Sequence, residues 1–281
     1  MKVSGFTFCR NAVKYDYPIL ESIRSVLPLC DEFIVNVGRC EDGTLELIQA
    51  MRDSKIKIVE SVWDDSLRKD GLIYSQQTNI ALARCTGDWA FYIQADEVVH
   101  EDDLPIIRRS MQDHLRNPVV KGLLFRYLHF VADYWSTNPW FYHKAVRIIR
   151  NNGEVESCGD AVGFHVKTTQ QYLQSGPKEW LPYSGGRIFH YGWVKDPKTM
   201  LEKKREQAAM HHGANLPPSA AKELAGDAFQ FDDYAILKEF SDSHPAVMKA
   251  RIAAARRWGA RSTRWFHWRF YQEVARRGFR G

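Results

Sequence analysis

Residues 87–97 read Gly-Asp-Trp-Ala-Phe-Tyr-Ile-Gln-Ala-Asp-Glu, an apolar run that ends in acid. A near-continuous apolar run of this length predicts a buried parallel strand over 89–93. In open α/β sheets ligands gather at the carboxyl ends of such strands, which is where Asp96 and Glu97 fall. Carboxylates at that address suit a hard divalent cation, and the cation can in turn bridge phosphate oxygens. The same residues also read as a solvated turn capping the next helix, because Asp102 and Asp103 again precede an apolar stretch.

The elements that must hold this turn follow from periodicity. Strands are predicted over 3–8, 32–37, 55–62 and 89–93, with helices over 18–27, 44–51 and 73–84. Four strands alternating with three helices, joined by short connections, describe a doubly wound, nucleotide-binding type of sheet. The pattern then changes. Residues 119–131 and 144–150 are strand-like. The stretch 142–191, rich in Gly, Tyr and Trp, reads as irregular sheet and loops shaping an acceptor pocket. A helix is predicted over 197–211, Leu216-Pro217-Pro218 punctuates the chain, and everything after it reads as helical. The expected division is a domain over 1–215 and a basic helical extension over 216–281.

The 281 residues are 44% apolar, enough for one sizeable core. No run approaches the roughly 20 apolar residues of a membrane span, and the first residues read as strand rather than secretory leader. Cys9, Cys30, Cys40, Cys85 and Cys158 form no C-x-x-C pair, which points to a reduced, cytoplasmic protein and gives zinc no ligand spacing. The net charge of +5 is unevenly spread. From Lys249 onward ten Lys or Arg face one acid, Glu273, so that end carries +9 and the remainder −4. Trp265, Phe266, Trp268, Phe270 and Tyr271 lie among those arginines. One reading is a helix packed on the main domain; the other is an interfacial helix on an anionic membrane surface, making the protein peripheral. Nucleic acid is not expected, since no binding module accompanies the basic run.

Four segments in order resemble family-2 glycosyltransferases of the GT-A fold, over roughly residues 1–200. They are Phe6-Thr7-Phe8-Cys9-Arg10-Asn11, Glu41-Asp42-Gly43-Thr44, Asn79-Ile80-Ala81-Leu82 with Thr86-Gly87-Asp88-Trp89, and Gln94-Ala95-Asp96-Glu97. The resemblance implies a Rossmann-like mixed central sheet flanked by helices. It also implies an inverting, metal-dependent transfer from a nucleotide-sugar donor to a glycan or lipid-linked acceptor. Gln94 stands where the family's D-x-D motif has its first Asp. A Gln amide can still meet ribose hydroxyls but brings no charge, so Mg²⁺ or Mn²⁺ would rest mainly on Asp96. Val37-Gly38 lacks the Asp that often reads the base.

By the same resemblance His190 is a metal ligand or phosphate donor, with a satisfied core histidine as the alternative. Glu97 supports the site from behind. Asp160, in Gly159-Asp160-Ala161, is the general base, with Glu154 and Glu156 as rivals and a surface turn as the plain alternative. Phe8, Arg10, Asn11, Asp42, Arg68, Asp70, Asn79, Gln94 and Ala95 are expected around the nucleotide, although Asp42 also suits a helix cap. A non-catalytic nucleotide- or glycan-binding protein on the same scaffold is the alternative function. A nucleotidyltransferase ranks last, because Phe8-Cys9-Arg10-Asn11-Ala12 lacks a Gly-rich basic loop.

Overall fold

Side chains alternate across a strand, so a strand buried on both faces feeds two cores. In the computed structural model, which describes residues 1–67, 69–212, 216–218, 221, 224–231, 237–256 and 271, this is how the sheet is built. Strands β1 (Val3–Cys9), β2 (Glu32–Gly38), β3 (Ile56–Ser61) and β4 (Trp89–Tyr92) pair in parallel in the order β3-β2-β1-β4. Phe33, Val35, Val37 and Phe91 face one layer, with residues of α1 (Ile19–Val26), α2 (Thr44–Gln49) and α4 (Leu104–His114). Phe6, Ile34, Ala90 and Tyr92 face the other, with Ala81 and Leu82 of α3 (Leu72–Leu82).

Beyond β4 the sheet turns antiparallel through β8 (Lys144–Arg150) and β6 (Gly122–Val131) to the short β7 (Ser136–Thr137). β11 (Tyr183–Trp193) runs parallel to β6 and antiparallel to β5 (Glu97–Val99). A separate ribbon joins β9 (Val155–Cys158) to β10 (Gly163–Val166). Helix α5 (Pro197–His212) follows β11. The mixed sheet with helices on both faces is the architecture anticipated above. The region expected to be irregular is more regular than its composition suggested. Its Gly and aromatic residues form the 11-residue β11, in which buried Ile188, Phe189 and Tyr191 pack to both sides.

The C-terminal part differs from the all-helical expectation. Residues 224–231 fold back on α5, where Arg205 donates to the Leu224 and Gly226 carbonyls and Phe229 N donates to Pro197 O. Next, β12 (Lys238–Glu239) adds to β7. Phe240 seats its ring edge-on against Phe130 and Phe189, and Pro245, which has no N–H to give a helix, comes shortly before a short helix, Lys249–Ala254. Arg251 pairs with Asp16 (2.6 Å) and Glu21 (3.2 Å), so this part packs on the main domain. Residues 257–270 and 272–281, which carry most of the arginine-aromatic run, lie outside the described residues. No helix among the described residues is long and apolar enough to cross a membrane. All five cysteines are free.

His244 fills the seam between this segment and the sheet, with Nδ1 2.8 Å from the Tyr191 hydroxyl. Burial pushes its imidazole from 6.5 down to about 4. Below pH 6.5 the unfolded chain takes a proton here that the folded chain refuses. Stability is therefore full above that pH and is lost as pH falls toward 4. Urea midpoints at pH 7 and pH 4.5 check this: the drop between them should shrink in His244→Phe, and an unchanged drop would assign it to other groups.

Candidate active site

After β4 the chain turns through Ile93–Asp96 into β5. The turn is pinned from behind. Gln94 N donates to Glu97 Oε2 (3.0 Å), and Ser22 Oγ donates to Gln94 O (2.9 Å). Glu97 receives Arg147 on both oxygens at 2.8 Å and the Tyr127 hydroxyl at 2.7 Å. Both members of this ion pair are 0% exposed. Glu97 is thus turned away from any ligand and fixes the backbone that carries Asp96.

Asp96 faces the opposite way. Its Oδ2 lies 3.2 Å from Lys203 Nζ of α5 and 3.7 Å from His190 Nε2 of β11. Lys203 also donates to Gly192 O at 2.9 Å. Burial alone would raise the Asp96 carboxyl; the positive charge and hydrogen bond of Lys203 outweigh it and hold it well below the usual carboxylate range. Burial, aided by the Lys203 charge, brings Lys195 down to about 7.

His190 reaches this point through strand register, which sets it opposite both Glu97 of β5 and His129 of β6. The register with β6 shifts between His190 and Trp193, a bulge of the kind that re-aims side chains beside sites. His190 Nδ1 is 3.1 Å from His129 Nδ1, and His129 Nε2 is 2.8 Å from Tyr142 O. Burial lowers both imidazoles, His129 to about 3, so both rings are neutral at neutral pH.

The donor set fits a cation in part. Asp96 Oδ2 and His190 Nε2 face one another. A Cβ on Gly192 would lie 2.5 Å from the first and 2.7 Å from the second, so the absence of a side chain at 192 keeps that space open. Gln94 does not contribute, since its amide nitrogen is directed at Ala161 O (3.3 Å) and the Tyr92 hydroxyl (3.4 Å). No group of three or more His, Cys, Asp or Glu able to hold a metal occurs among the described residues. Asp96 Oδ2 and His190 Nε2 would supply one oxygen and one nitrogen to a cation, and phosphate oxygens and water would have to supply the rest. Lys203 already occupies one side of the same carboxylate.

Two cavities meet over Asp96. The smaller, about 150 Å³, is walled by Phe8, Trp63 and Tyr74. The Arg10 guanidinium lies 5.2 Å from the centre of the Trp63 ring. The larger, about 430 Å³, is walled by Trp140, Phe141 and Trp193. Gln94, Asp96, Asp160 and Lys203 border both. Asp160 is exposed, with one carboxylate oxygen accepting from Val162 N at 3.3 Å. A Cβ on Gly71, at φ +71°, would lie 3.0 Å from the Asp160 Cβ and 2.7 Å from His211 Cε1, so the start of α3 passes close beside Asp160.

The remaining expected residues separate. Phe8, Arg10 and Ala95 line the smaller cavity; Arg10, Asn11 and Asp42 line a neighbouring one of about 580 Å³. Asp42 accepts from the backbone N–H groups of Lys14 (2.8 Å) and Thr44 (3.1 Å), which ties its carboxylate to the loop ahead of α2 at the edge of this cavity. Asn79 corrects the expectation. Its amide clasps Ser157 through both backbone groups, at 2.8 and 3.0 Å, and ties α3 to β9. Asp70, exposed at φ +57°, borders none of these cavities. Arg68 lies outside the described residues. Lys203, His129, Arg147 and Trp63 were not anticipated. A signal existed for Arg147, a lone cation inside the apolar run of β8. Lys203 sits in Lys203-Lys204-Arg205, which reads as an ordinary solvated helix face.

No protein-family description matches this sequence, and no curated protein matches it. Among solved structures, S. aureus TarS is similar over 83% of this chain and 43% of that chain, at 15% identity and a TM-score of 0.44. TarS 1–349 in complex with UDP-GlcNAc is similar over 80% of this chain and 70% of that chain, at 14% identity and a TM-score of 0.41. Glucosyl-3-phosphoglycerate synthase from Mycobacterium tuberculosis, in complex with Mn²⁺, UDP and phosphoglyceric acid, is similar over 45% of this chain and 43% of that chain, at 19% identity and a TM-score of 0.32. The chain spans less than half the length of the first of these and of the synthase.

The clamp behind Asp96 can be tested by stability. Glu97→Gln leaves the Arg147 guanidinium buried without its counter-charge and should cost about 3–5 kcal/mol in urea unfolding. Adding Arg147→Met should recover most of that loss, because the pair then leaves together.

Proposed function

We propose that this chain is a glycosyltransferase that moves a sugar from a nucleotide-diphospho-sugar to a hydroxyl of a glycan or lipid-linked acceptor, with metal assistance and inversion at the transferred carbon. The observation that carries the reading is the meeting of two aromatic-walled cavities over Asp96, at the carboxyl ends of the parallel strands. The smaller cavity suits a nucleoside: Phe8, Trp63 and Tyr74 offer ring faces to a base, and Arg10 offers charge to phosphate. Arg10 Nε is a buried donor with no partner among the described residues, and a base or phosphate oxygen would satisfy it. The larger cavity, with Trp140, Phe141 and Trp193, suits the apolar faces of sugar rings.

In this reading Asp96 and His190 hold Mg²⁺ or Mn²⁺, which when bound neutralises charge on the departing diphosphate. Lys203 adds a fixed positive charge at the same point. Gln94 meets a ribose hydroxyl, and Asp160 takes the proton of the acceptor hydroxyl as general base. The arginine-aromatic run near the C-terminus supports attachment to an anionic membrane, where a lipid-linked acceptor would lie; salt-sensitive binding to anionic vesicles and none to neutral ones is the expected result. A nucleotide-binding protein without turnover is the second reading. The Lys203 ammonium on Asp96 favours it, since it fills part of the space around the carboxylate that a metal would use.

Incubation with UDP, GDP, TDP and ADP sugars and Mn²⁺ should release nucleotide from at least one donor. Asp96→Ala should abolish release and metal-dependent nucleotide binding. Asp160→Asn should lower kcat about 100- to 10,000-fold with donor KM little changed. Binding without release from any of the four donors would move the assignment to the second reading.

A further inference from the structure

Two histidines stand side by side behind Asp96, and only one of them faces it. His129 and His190 are paired across β6 and β11, with their Nδ1 atoms 3.1 Å apart. A single proton serves that contact. Which ring holds it is decided one bond further away. His129 Nε2 lies 2.8 Å from the Tyr142 carbonyl oxygen, which can only accept. His129 must therefore carry its proton on Nε2, and in the neutral ring its Nδ1 is a lone pair. His190 then donates from Nδ1, and its Nε2 is left bare.

That bare nitrogen points at a carboxylate oxygen 3.7 Å away. Two acceptors aimed at one another repel unless something positive lies between them. Lys203 reaches the oxygen. The space between oxygen and nitrogen is kept clear by Gly192, where any side chain would intrude on both atoms. His129 is itself locked in place. It is 3% exposed, its ring stacks on Tyr127 at 5.3 Å, and the Phe141 ring stands edge-on to it at 5.3 Å.

We propose that His129 is a positioning residue: through the Tyr142 carbonyl it holds His190 in the Nδ1–H tautomer and so presents Nε2, with Asp96 Oδ2, to a divalent cation. The inference rests on the metal-assisted reading of this site. His129 acts only through His190, in the way that outer partners set the tautomer and orientation of ligating histidines elsewhere.

Long-range proton–nitrogen correlation spectra of the full chain, with no metal added, read the tautomer of His190 directly. The expected form is Nδ1–H with an unprotonated Nε2, changing to Nε2–H, donated to Asp96, in His129→Phe. Titration with Mn²⁺ alone, followed by electron paramagnetic resonance, should show binding about 10- to 100-fold weaker in His129→Phe. His129→Asn should recover most of that loss, because its carboxamide oxygen can accept from His190 Nδ1. An Nε2–H His190 in the unaltered chain overturns the proposal, and so does a folded His129→Phe that binds Mn²⁺ as tightly as the unaltered chain. Should His129→Phe fail to fold, the tautomer of the unaltered chain and the Mn²⁺ affinity of His129→Asn still decide. The expected tautomer together with no Mn²⁺ binding overturns the metal-assisted reading instead, and the role of His129 with it.

Discussion

A carboxylate with no exposure to water must be paired, and the pairing of Glu97 with Arg147 sets the geometry of everything in front of it. Arg147 comes from β8 in the antiparallel half of the sheet, and Glu97 opens β5 directly after the turn from the parallel half. The two-point contact leaves the turn little freedom to rotate. Glu97 N closes the turn onto Gln94 O at 3.0 Å, so with the Glu97 side chain anchored inward, Asp96, the last residue of that turn, is held against the cavities. The two acids of the Gln-Ala-Asp-Glu turn therefore have separate tasks, one holding the backbone and the other facing the cavities.

Around Asp96 the molecule gathers groups from distant parts of the chain. Helix α5 brings Lys203, β11 brings His190, and β6 brings His129 behind it. The register shift between His190 and Trp193, with no side chain at Gly192, lets the end of β11 approach the carboxylate closely. Here a backbone irregularity and a missing Cβ serve one end, which is space next to a charge. The aromatic walls on either side, Phe8 with Trp63 and Trp140 with Phe141, give two compartments of different size that share one polar floor.

Much of the scaffold is legible in the sequence because its signals are local. Apolar runs such as Phe33–Val37 and Lys144–Arg150 mark strands buried on one or both faces, and those elements appear within a residue or two of their expected bounds. Asp96, His190, Gln94 and Phe8 stand out because each sits at the end of an apolar run, and all four border the cavities. Asn79 and Asp42 share one feature that the sequence hides. Their polar groups are spent on nearby backbone, and a sequence does not say whether an amide or carboxylate faces a ligand or a peptide group. Lys203 and His129 are invisible at that level because their meaning comes from partners 107 and 61 residues away. The extended course of residues 237–245 was hidden by composition: Phe240 and His244 look like helix-face residues until the sheet offers them a slot.

The Lys203 contact also changes what occupancy of Asp96 means. The carboxylate is not bare; it already has a monovalent counter-charge supplied by its own polypeptide. Any cation from solution therefore enters by exchange rather than by simple addition, and its hold depends on how much better it neutralises the spot than the ammonium does. A dication alone still binds the carboxylate, but gives up part of that attraction to repulsion from the neighbouring ammonium. A dication arriving with the negative oxygens of a diphosphate gives up less, because the incoming anion absorbs the surplus. The lysine thus works as a toll gate on ionic strength and composition, admitting the charged parts of a ligand together more readily than one by one.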